Sequence, residues 1–301
     1  MMKAVLISGN EDAVPAEYLQ RIRDAGIELE CRNCRNPDEV VDFAKDADLV
    51  WMFGSNCLLS GDALRRLPKC RAIFRSGSGI DALPCDVARE LGVAVLNTPE
   101  SISECVAEHA VSLLFAVIRR IPHYDRAVRA GNWELPNGMN WHISGRTLGI
   151  VGYGRIGRAV ERMVSGFGMN VLHYDPFIAD SMPLDDLLTQ SDYVSLHCPL
   201  TDETRGLIDA RRLSLMKRNA ILINTSRGPV VEEQALVAAL KDGTIAAAGL
   251  DVLCEEPPPA DHPLFTLDNV VLTPHIAAFS ADFEKNFWSC SAEKIISFFA
   301  S

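Results

Sequence analysis

A chain of 301 residues, 48% hydrophobic and 23% charged, carries enough apolar material for a large core and is long enough for that core to divide between two domains. Its 29 basic and 40 acidic side chains leave a net charge of −11, which argues against nucleic acid or an anionic membrane surface as a partner. Nine cysteines, an odd number spread along the chain, read as free thiols, and Cys31-x-x-Cys34 lacks the second pair or nearby histidine that a metal site needs, so no metal is expected.

From Met1-Met2-Lys3 the sequence passes directly into a strand-like run, Ala4 to Ile7, without a small-residue cleavage site. No apolar run reaches the ~18 residues of a membrane helix, so the cytoplasm is the expected compartment. Short apolar runs then alternate with helical stretches: Tyr18 to Ala25, Leu49 to Phe53, Ala63 to Leu67, Ala72 to Phe74, Val87 to Leu91 and Val93 to Leu96. This βαβα pattern predicts a parallel sheet. The loop Arg75-Ser-Gly-Ser-Gly-Ile-Asp81 follows one of those strands and offers a run of unobstructed amides at Gly77, Ser78 and Gly79. Successive N–H groups in a glycine turn form an anion nest, so the loop reads as a cradle for a substrate carboxylate, with a plain strand-to-helix turn as the simpler alternative.

Asn97-Thr-Pro99 breaks the chain before a long, mostly apolar helix predicted from Ser101 to Ile121, which must be buried on most faces and is suited to a subunit contact. At Thr147 the alternation resumes with Thr147-Leu-Gly-Ile-Val-Gly-Tyr-Gly-Arg-Ile-Gly157, a strand, a glycine turn and a helix predicted from Arg155 to Phe167. Gly152 permits the tight exit from the strand, Gly154 lets backbone approach a pyrophosphate, and Gly157 lets the helix pack closely. The helix N-terminus presents free N–H groups and a positive dipole end to the phosphates. Asp175 ends the next strand, 18 residues beyond Gly157, where a carboxylate accepts from adenosine ribose hydroxyls and repels a 2′-phosphate. NAD is the expected cofactor, in preference to NADP.

Further strands are predicted at Tyr193 to Leu196, Ala220 to Ile223, Ile245 to Leu250 and Val270 to Leu272, with helices between, and a closing helix from Asp282 to Ser301 returns to the N-terminal domain. The fold class is therefore α/β, with two parallel-sheet domains: a Rossmann-type dinucleotide-binding domain over 99–278, and a smaller flavodoxin-like substrate-binding domain from 1–98 and 279–301. Open α/β sheets place ligands at strand ends, and three titratable or charged side chains lie there. Arg227 follows Ala220-Ile-Leu-Ile-Asn-Thr-Ser226, where its planar fork suits a carboxylate and an adjacent carbonyl. His275, in Leu272-Thr-Pro-His275, has the side chain that exchanges protons near neutral pH. Glu256, just before Pro257, is a candidate to orient that imidazole. Singly, these residues read equally well as a turn-capping arginine, a hydrogen-bonded core histidine and a solvated acid. After a dinucleotide fingerprint, the catalytic reading prevails.

The sequence resembles the D-specific 2-hydroxyacid dehydrogenases over nearly its whole length. The resemblance rests on Arg75 to Asp81, Asn97-Thr-Pro99, Val106-Ala-Glu-His109, Gly145 to Gly157, Tyr174-Asp-Pro176, His197-Cys-Pro-Leu-Thr-Asp-Glu-Thr204, Asn224-Thr-Ser-Arg-Gly-Pro229, Asp251-Val252, Glu256-Pro257 and Thr273-Pro-His-Ile276. It implies that Arg227 binds and polarises a 2-keto acid, that His275 is the acid/base and that Glu256 is its partner. It places Arg155 and Ile156 on the pyrophosphate, Asp175 on the ribose, Pro199, Thr204 and Thr225 beside the cofactor, and Asp251 on the nicotinamide carboxamide. It further implies a cleft between the domains and a homodimer formed through the helix near 101–121. An NAD(H)-sensing, corepressor-like binding protein on the same scaffold is the alternative.

Two departures bear on the substrate. Phe53-Gly-Ser-Asn-Cys57 lacks the arginines that the family's phosphoglycerate dehydrogenases use on a phosphate, which disfavours a phosphorylated substrate. Ala277-Ala278-Phe279 stands where many members carry small residues, so Phe279 either narrows the pocket or packs beneath it.

Overall fold

The computed structural model describes residues 2–54, 58–133 and 142–300. It forms two compact units, Met1–Ser103 with Ser280–Ser301, and Glu104–Phe279. Residues 55–57 of the phosphate-reading stretch lie outside the described residues.

In the first unit the strands are β1 (Lys3–Leu6), β2 (Ser8–Gly9), β3 (Glu28–Asn33), β4 (Leu49–Met52), β5 (Ala72–Arg75) and β6 (Ala94–Asn97). They are ordered β2-β3-β1-β4-β5-β6, parallel except for the two-residue β2. Without β2 this is the flavodoxin strand order. Helices α1 (Ala16–Asp24), α2 (Pro37–Ala44), α3 (Gly61–Arg65) and α4 (Cys85–Leu91) connect the strands. β3 is not among the predicted strands, because Glu-Leu-Glu-Cys-Arg-Asn is charged at three of its six positions and has no β-branched residue. Pairing on both sides and an ion pair from Lys3 Nζ to Glu30 at 2.6 Å hold it in the sheet.

The second unit begins with α5 (Ser103–Ile118) and α6 (Ile121–Arg129). The single helix predicted over 101–121 is thus shorter. Residues 99–101 form a separate 3-10 turn, and Arg120 adopts a left-handed conformation (φ 51°) that ends the run before α6 starts at Ile121, with Pro122 in its first turn. Then come β7 (Thr147–Val151), α7 (Arg155–Val164), β8 (Asn170–Tyr174), α8 (Leu184–Gln190), β9 (Tyr193–Leu196), α9 (Ala210–Leu215), β10 (Ile221–Asn224), α10 (Glu233–Asp242), β11 (Ala247–Leu250) and β12 (Val270–Leu272). The sheet is wholly parallel in the order β12-β11-β10-β9-β7-β8, so chain direction across it reverses beside β7. α5 covers one face of it, with Ala107, Ala110, Leu113 and Leu114 packed against Leu148, Ile150, Tyr193 and Ile223.

The last helix, α11 (Phe283–Ala300), returns to the first unit. Phe287, Trp288, Ala292 and Ile295 join Trp51 and Phe74 in one buried cluster, with the Trp288 ring edge-on to Trp51 at 6.1 Å. Burying each large side chain there stabilises the unit by roughly 1.5–3 kcal/mol. Among the described residues no helix is long and apolar enough to cross a membrane, and no group of three or more His, Cys, Asp or Glu could hold a metal ion. The eight described cysteines are free. Burial pushes the thiols of Cys31, Cys70, Cys198 and Cys254 up to about 11, so they are not reactive thiolates at neutral pH.

Candidate active site

The glycine turn after β7 is built as its spacing implies. Gly152 has φ +92°, and a Cβ there would meet the backbone of Cys198 and His197 at 2.5 and 2.6 Å. At Gly157 a Cβ would lie 2.4 Å from the Gly152 carbonyl oxygen. Gly154 is different: nothing lies within 4 Å of its would-be Cβ. It is also the N-cap of α7 and has no side chain to bond the first amides, so Arg155, Ile156 and Gly157 open the helix without a side-chain cap. Asp175 follows β8, its Oδ2 accepting from the Tyr153 amide at 2.9 Å and its Oδ1 from the Phe177 amide at 3.0 Å. A carboxylate offers about four acceptor positions, so two remain for other donors. Along the same edge, Thr204 Oγ1 donates to the Pro199 carbonyl at 2.6 Å, shaping the loop after β9. Thr225 is buried with its Oγ1 unpartnered. An open glycine, an uncapped helix end and an orphaned hydroxyl together fit a dinucleotide.

β10 runs through four buried residues to Asn224, whose amide side chain staples the next turn. Its Oδ1 accepts from the Ser226 N–H at 2.9 Å and the Ser226 hydroxyl at 2.8 Å, and its Nδ2 donates to the Arg227 carbonyl at 3.0 Å. Arg227 Nη1 in turn donates to the Ser226 carbonyl at 2.7 Å. Gly228 follows because the chain here presses on the loop after β11: a Cβ at 228 would sit 2.0 Å from the Leu253 carbonyl oxygen. That contact fixes the Arg227 turn against the segment carrying Glu256. The Glu256-Pro257 bond is cis. Glu256 Oε1 accepts from the Leu253 amide at 3.0 Å, and Oε2 lies 2.7 Å from His275 Nδ1, with both side chains part-exposed.

His275 has φ 53°, left-handed for a residue with a Cβ, a strained state that persists only when its surroundings impose it. Asp251 does so. Its carbonyl accepts from the His275 amide at 2.8 Å, while its carboxylate accepts from the Ile276 amide at 3.0 Å, the Ala277 amide at 2.9 Å and the Thr273 hydroxyl at 2.5 Å. His109 Nε2 lies 2.9 Å from Thr273 Oγ1. Burial is the largest influence on the Asp251 carboxyl and pushes it up, but the donors His109, Thr273 and the two amides together hold it below the usual carboxylate range. The resemblance put Asp251 on the nicotinamide carboxamide. Its side chain is fully buried and engaged on both oxygens by its own unit. Sequence reasoning missed Asn224, His109 and Thr273. Nothing in a one-dimensional pattern pairs residues 109 and 273.

In the other unit, the 75–81 loop corrects one expectation. The Gly77 amide is not free, because it donates to Thr98 Oγ1 at 2.8 Å, and the Gly77 carbonyl accepts from the Thr98 amide at 2.9 Å. Gly77 (φ +96°) contributes the shape of the turn. Ser78 and Gly79 keep their amides, while their carbonyls accept from Asn97 and Arg75 respectively. Phe279 is 66% exposed and so does not pack beneath its neighbours.

Residues 111–277 match the family model for the D-isomer specific 2-hydroxyacid dehydrogenase NAD binding domain. The chain is 41% identical over 276 residues to a glyoxylate reductase of Korarchaeum cryptofilum, covering 86% of this chain and 82% of that one. It is 36% identical over 294 residues to a D-3-phosphoglycerate dehydrogenase of Methanocaldococcus jannaschii, covering 94% of this chain but only 56% of that protein, so it spans about half the length of that relative. The structure resembles that of a D-lactate dehydrogenase from Aquifex aeolicus complexed with NAD and lactic acid, with a TM-score of 0.85, 27% identity and coverage of 99% and 95%.

Proposed function

Because the chain belongs to the D-isomer specific 2-hydroxyacid dehydrogenase family, we propose that it interconverts a small, unphosphorylated 2-keto acid and its D-2-hydroxy acid using NAD(H). The observation that carries this reading is the 2.7 Å contact between Glu256 Oε2 and His275 Nδ1, on a loop pressed against the Arg227 turn. NAD(H), held by the Gly152 to Gly157 turn with Asp175 and Thr225, supplies hydride transfer. Glu256 accepts at both oxygens, so Nδ1 of His275 carries a proton and Nε2 is the ring atom left to exchange one with substrate. In reduction, His275 Nε2 gives its proton to the former keto oxygen, and in oxidation the neutral ring takes it from the hydroxyl. Arg227, with its planar fork, holds the carboxylate and polarises the carbonyl. NAD is preferred to NADP because the Asp175 charge opposes a 2′-phosphate.

A homodimer belongs to the same reading. It is supported by α6, which buries none of its residues and leaves Ile121 and Val128 55% and 47% exposed. Light scattering coupled to gel filtration reads the dimer directly. Activity is tested by following NADH oxidation with glyoxylate, hydroxypyruvate, pyruvate and phosphohydroxypyruvate. The reading requires turnover on one of the first three and loss of roughly 10²–10⁴-fold in the His275→Ala variant. NADH binding without oxidation would indicate a corepressor-like sensor, and turnover confined to the phosphorylated acid would overturn the substrate class.

A further inference from the structure

Directions of hydrogen bonding around Asp251 are forced. The carboxylate only accepts, so at 2.5 Å the Thr273 hydroxyl must spend its single proton on Asp251 Oδ1. Thr273 Oγ1 can then only accept from His109, so His109 Nε2 carries hydrogen and donates at 2.9 Å. The same Nε2 stands 3.5 Å from Asp251 Oδ1. A relay therefore runs from α5 through His109, Thr273 and Asp251 to the amides of Ile276 and Ala277, the two residues after His275. His275 is held in a left-handed conformation that its own side chain disfavours, and this relay is the device that grips the backbone on both sides of it.

We propose that His109 is a positioning residue for the reaction, fixing the orientation of the His275 ring through Thr273 and Asp251 without touching substrate. The inference rests on the assignment of His275 as the proton-exchanging group. The His109 ring is mostly buried, with 21% of its surface exposed, so packing and the donated hydrogen bond are separable only by a variant that keeps one of them. Without that bond the Thr273 hydroxyl is free to turn to other acceptors, Asp251 loses its anchor, and the 275–277 backbone can relax toward ordinary φ values. Misplacement of a catalytic group by about 1 Å costs up to roughly 100-fold in turnover.

The test compares His109→Leu, His109→Gln and Thr273→Val. Leu removes the donor, Gln offers an N–H of similar reach, and Val cuts the same link at almost unchanged volume. The Leu and Val variants should lower kcat for keto-acid reduction by roughly 10- to 100-fold, with NADH affinity by fluorescence titration and KM for the keto acid changed little. The Gln variant should recover most of the rate. The double variant that combines His109→Leu with Thr273→Val should be no worse than either single one, because both cut one relay. Hydrogen exchange at the Ile276 and Ala277 amides supplies a readout independent of turnover: both should exchange faster in the Leu and Val variants and at the wild-type rate in Gln. If the wild type turns over no keto acid, the functional reading fails while exchange still decides the relay. Unchanged exchange at both amides, additive effects in the double variant, or equal losses in Gln and Leu would overturn the proposal. If the Leu variant does not fold, Thr273→Val alone carries the test.

Discussion

Gly154→Ala separates the cofactor's demands on the glycine turn from those of folding. Gly154 has φ −80° and ψ −151°, open to any L-residue, and no atom lies within 4 Å of the added methyl. Replacing Gly by Ala at a compatible site stabilises by ~0.4–1 kcal/mol through the unfolded chain. Ala is a poorer helix N-cap than Gly, which offsets part of that gain, so the net change should stay within about 1 kcal/mol. Gly152→Ala is the contrasting case. Its φ of +92° costs an L-residue roughly 1–2 kcal/mol, and backbone atoms of His197 and Cys198 at 2.5–2.6 Å add roughly 1–3 kcal/mol of overpacking. A loss of about 2–5 kcal/mol should lower the melting temperature by on the order of 5–15 °C. For NADH the ranking reverses in origin. On the proposed reading the methyl added by Gly154→Ala would occupy the space a pyrophosphate needs against the α7 amides, and each charge-assisted hydrogen bond lost there is worth ~1.5–3 kcal/mol, or roughly 10- to 150-fold in affinity. The assay is a nicotinamide fluorescence titration paired with thermal unfolding in the absence of cofactor. A Gly154→Ala protein that melts like the wild type and also binds NADH within twofold of it would refute the assignment of this turn to the pyrophosphate.

Arg227→Lys keeps the charge but loses the fork that also bonds the Ser226 carbonyl, and kcat/KM for the keto acid should fall by at least ~10²-fold; a near-wild-type value would remove Arg227 from the substrate. Asp175→Ala removes the carboxylate that accepts the Tyr153 and Phe177 amides, and should narrow the ratio of kcat/KM for NADH over NADPH; an unaltered ratio, or a wild type equally good with NADPH, contradicts the role given to that charge. His197 is pushed down by burial from 6.5 to about 4, its Nδ1 sealed from solvent without a partner. The unfolded chain therefore takes up a proton below pH 6.5 that the folded chain refuses until about pH 4, so stability present above pH 6.5 is lost as pH falls between these values. The loss over that whole interval amounts to about 3 kcal/mol, at about 1.36 kcal/mol for each of roughly 2.5 pH units. Urea titrations from pH 7 to 4.5 should show a shallower acid decline in His197→Gln, and parallel declines would exclude His197 as the titrating group.

Legibility in the sequence followed physical locality. The Gly152 to Gly157 turn and Asp175 could be read because the constraint acts within one strand, turn and helix, where each glycine has a steric reason of its own. The buried strands β9 and β10 are short apolar runs, and these declare themselves. β3 did not, since its charged residues are stabilised by Lys3, a partner distant in sequence. The single helix read over 101–121 failed at Arg120, whose left-handed backbone is a local event that apolar periodicity does not record. At the candidate site, Arg227, Glu256 and His275 stood out by residue type and strand-end position. The donors that hold them did not, because Asn224 looks like any strand-end polar residue and His109 meets Thr273 only after the sheet has formed. The occupied Gly77 amide was hidden for the same reason: its partner Thr98 lies just past the end of the neighbouring strand β6.

The placement of α11 has a consequence for how the chain is made. Trp51 and Phe74 precede the whole of the second unit in the chain, yet the wall that covers them, Phe287 and Trp288, follows it. At roughly 5–20 residues per second, the intervening ~200 residues take on the order of 10–40 s. During that interval the contiguous unit Glu104–Phe279 can close its own core, while the earlier-made unit waits with aromatic surface uncovered. Synthesis order and completion order are thus inverted: the first unit stays open until α11 has followed the second unit out of the ribosome.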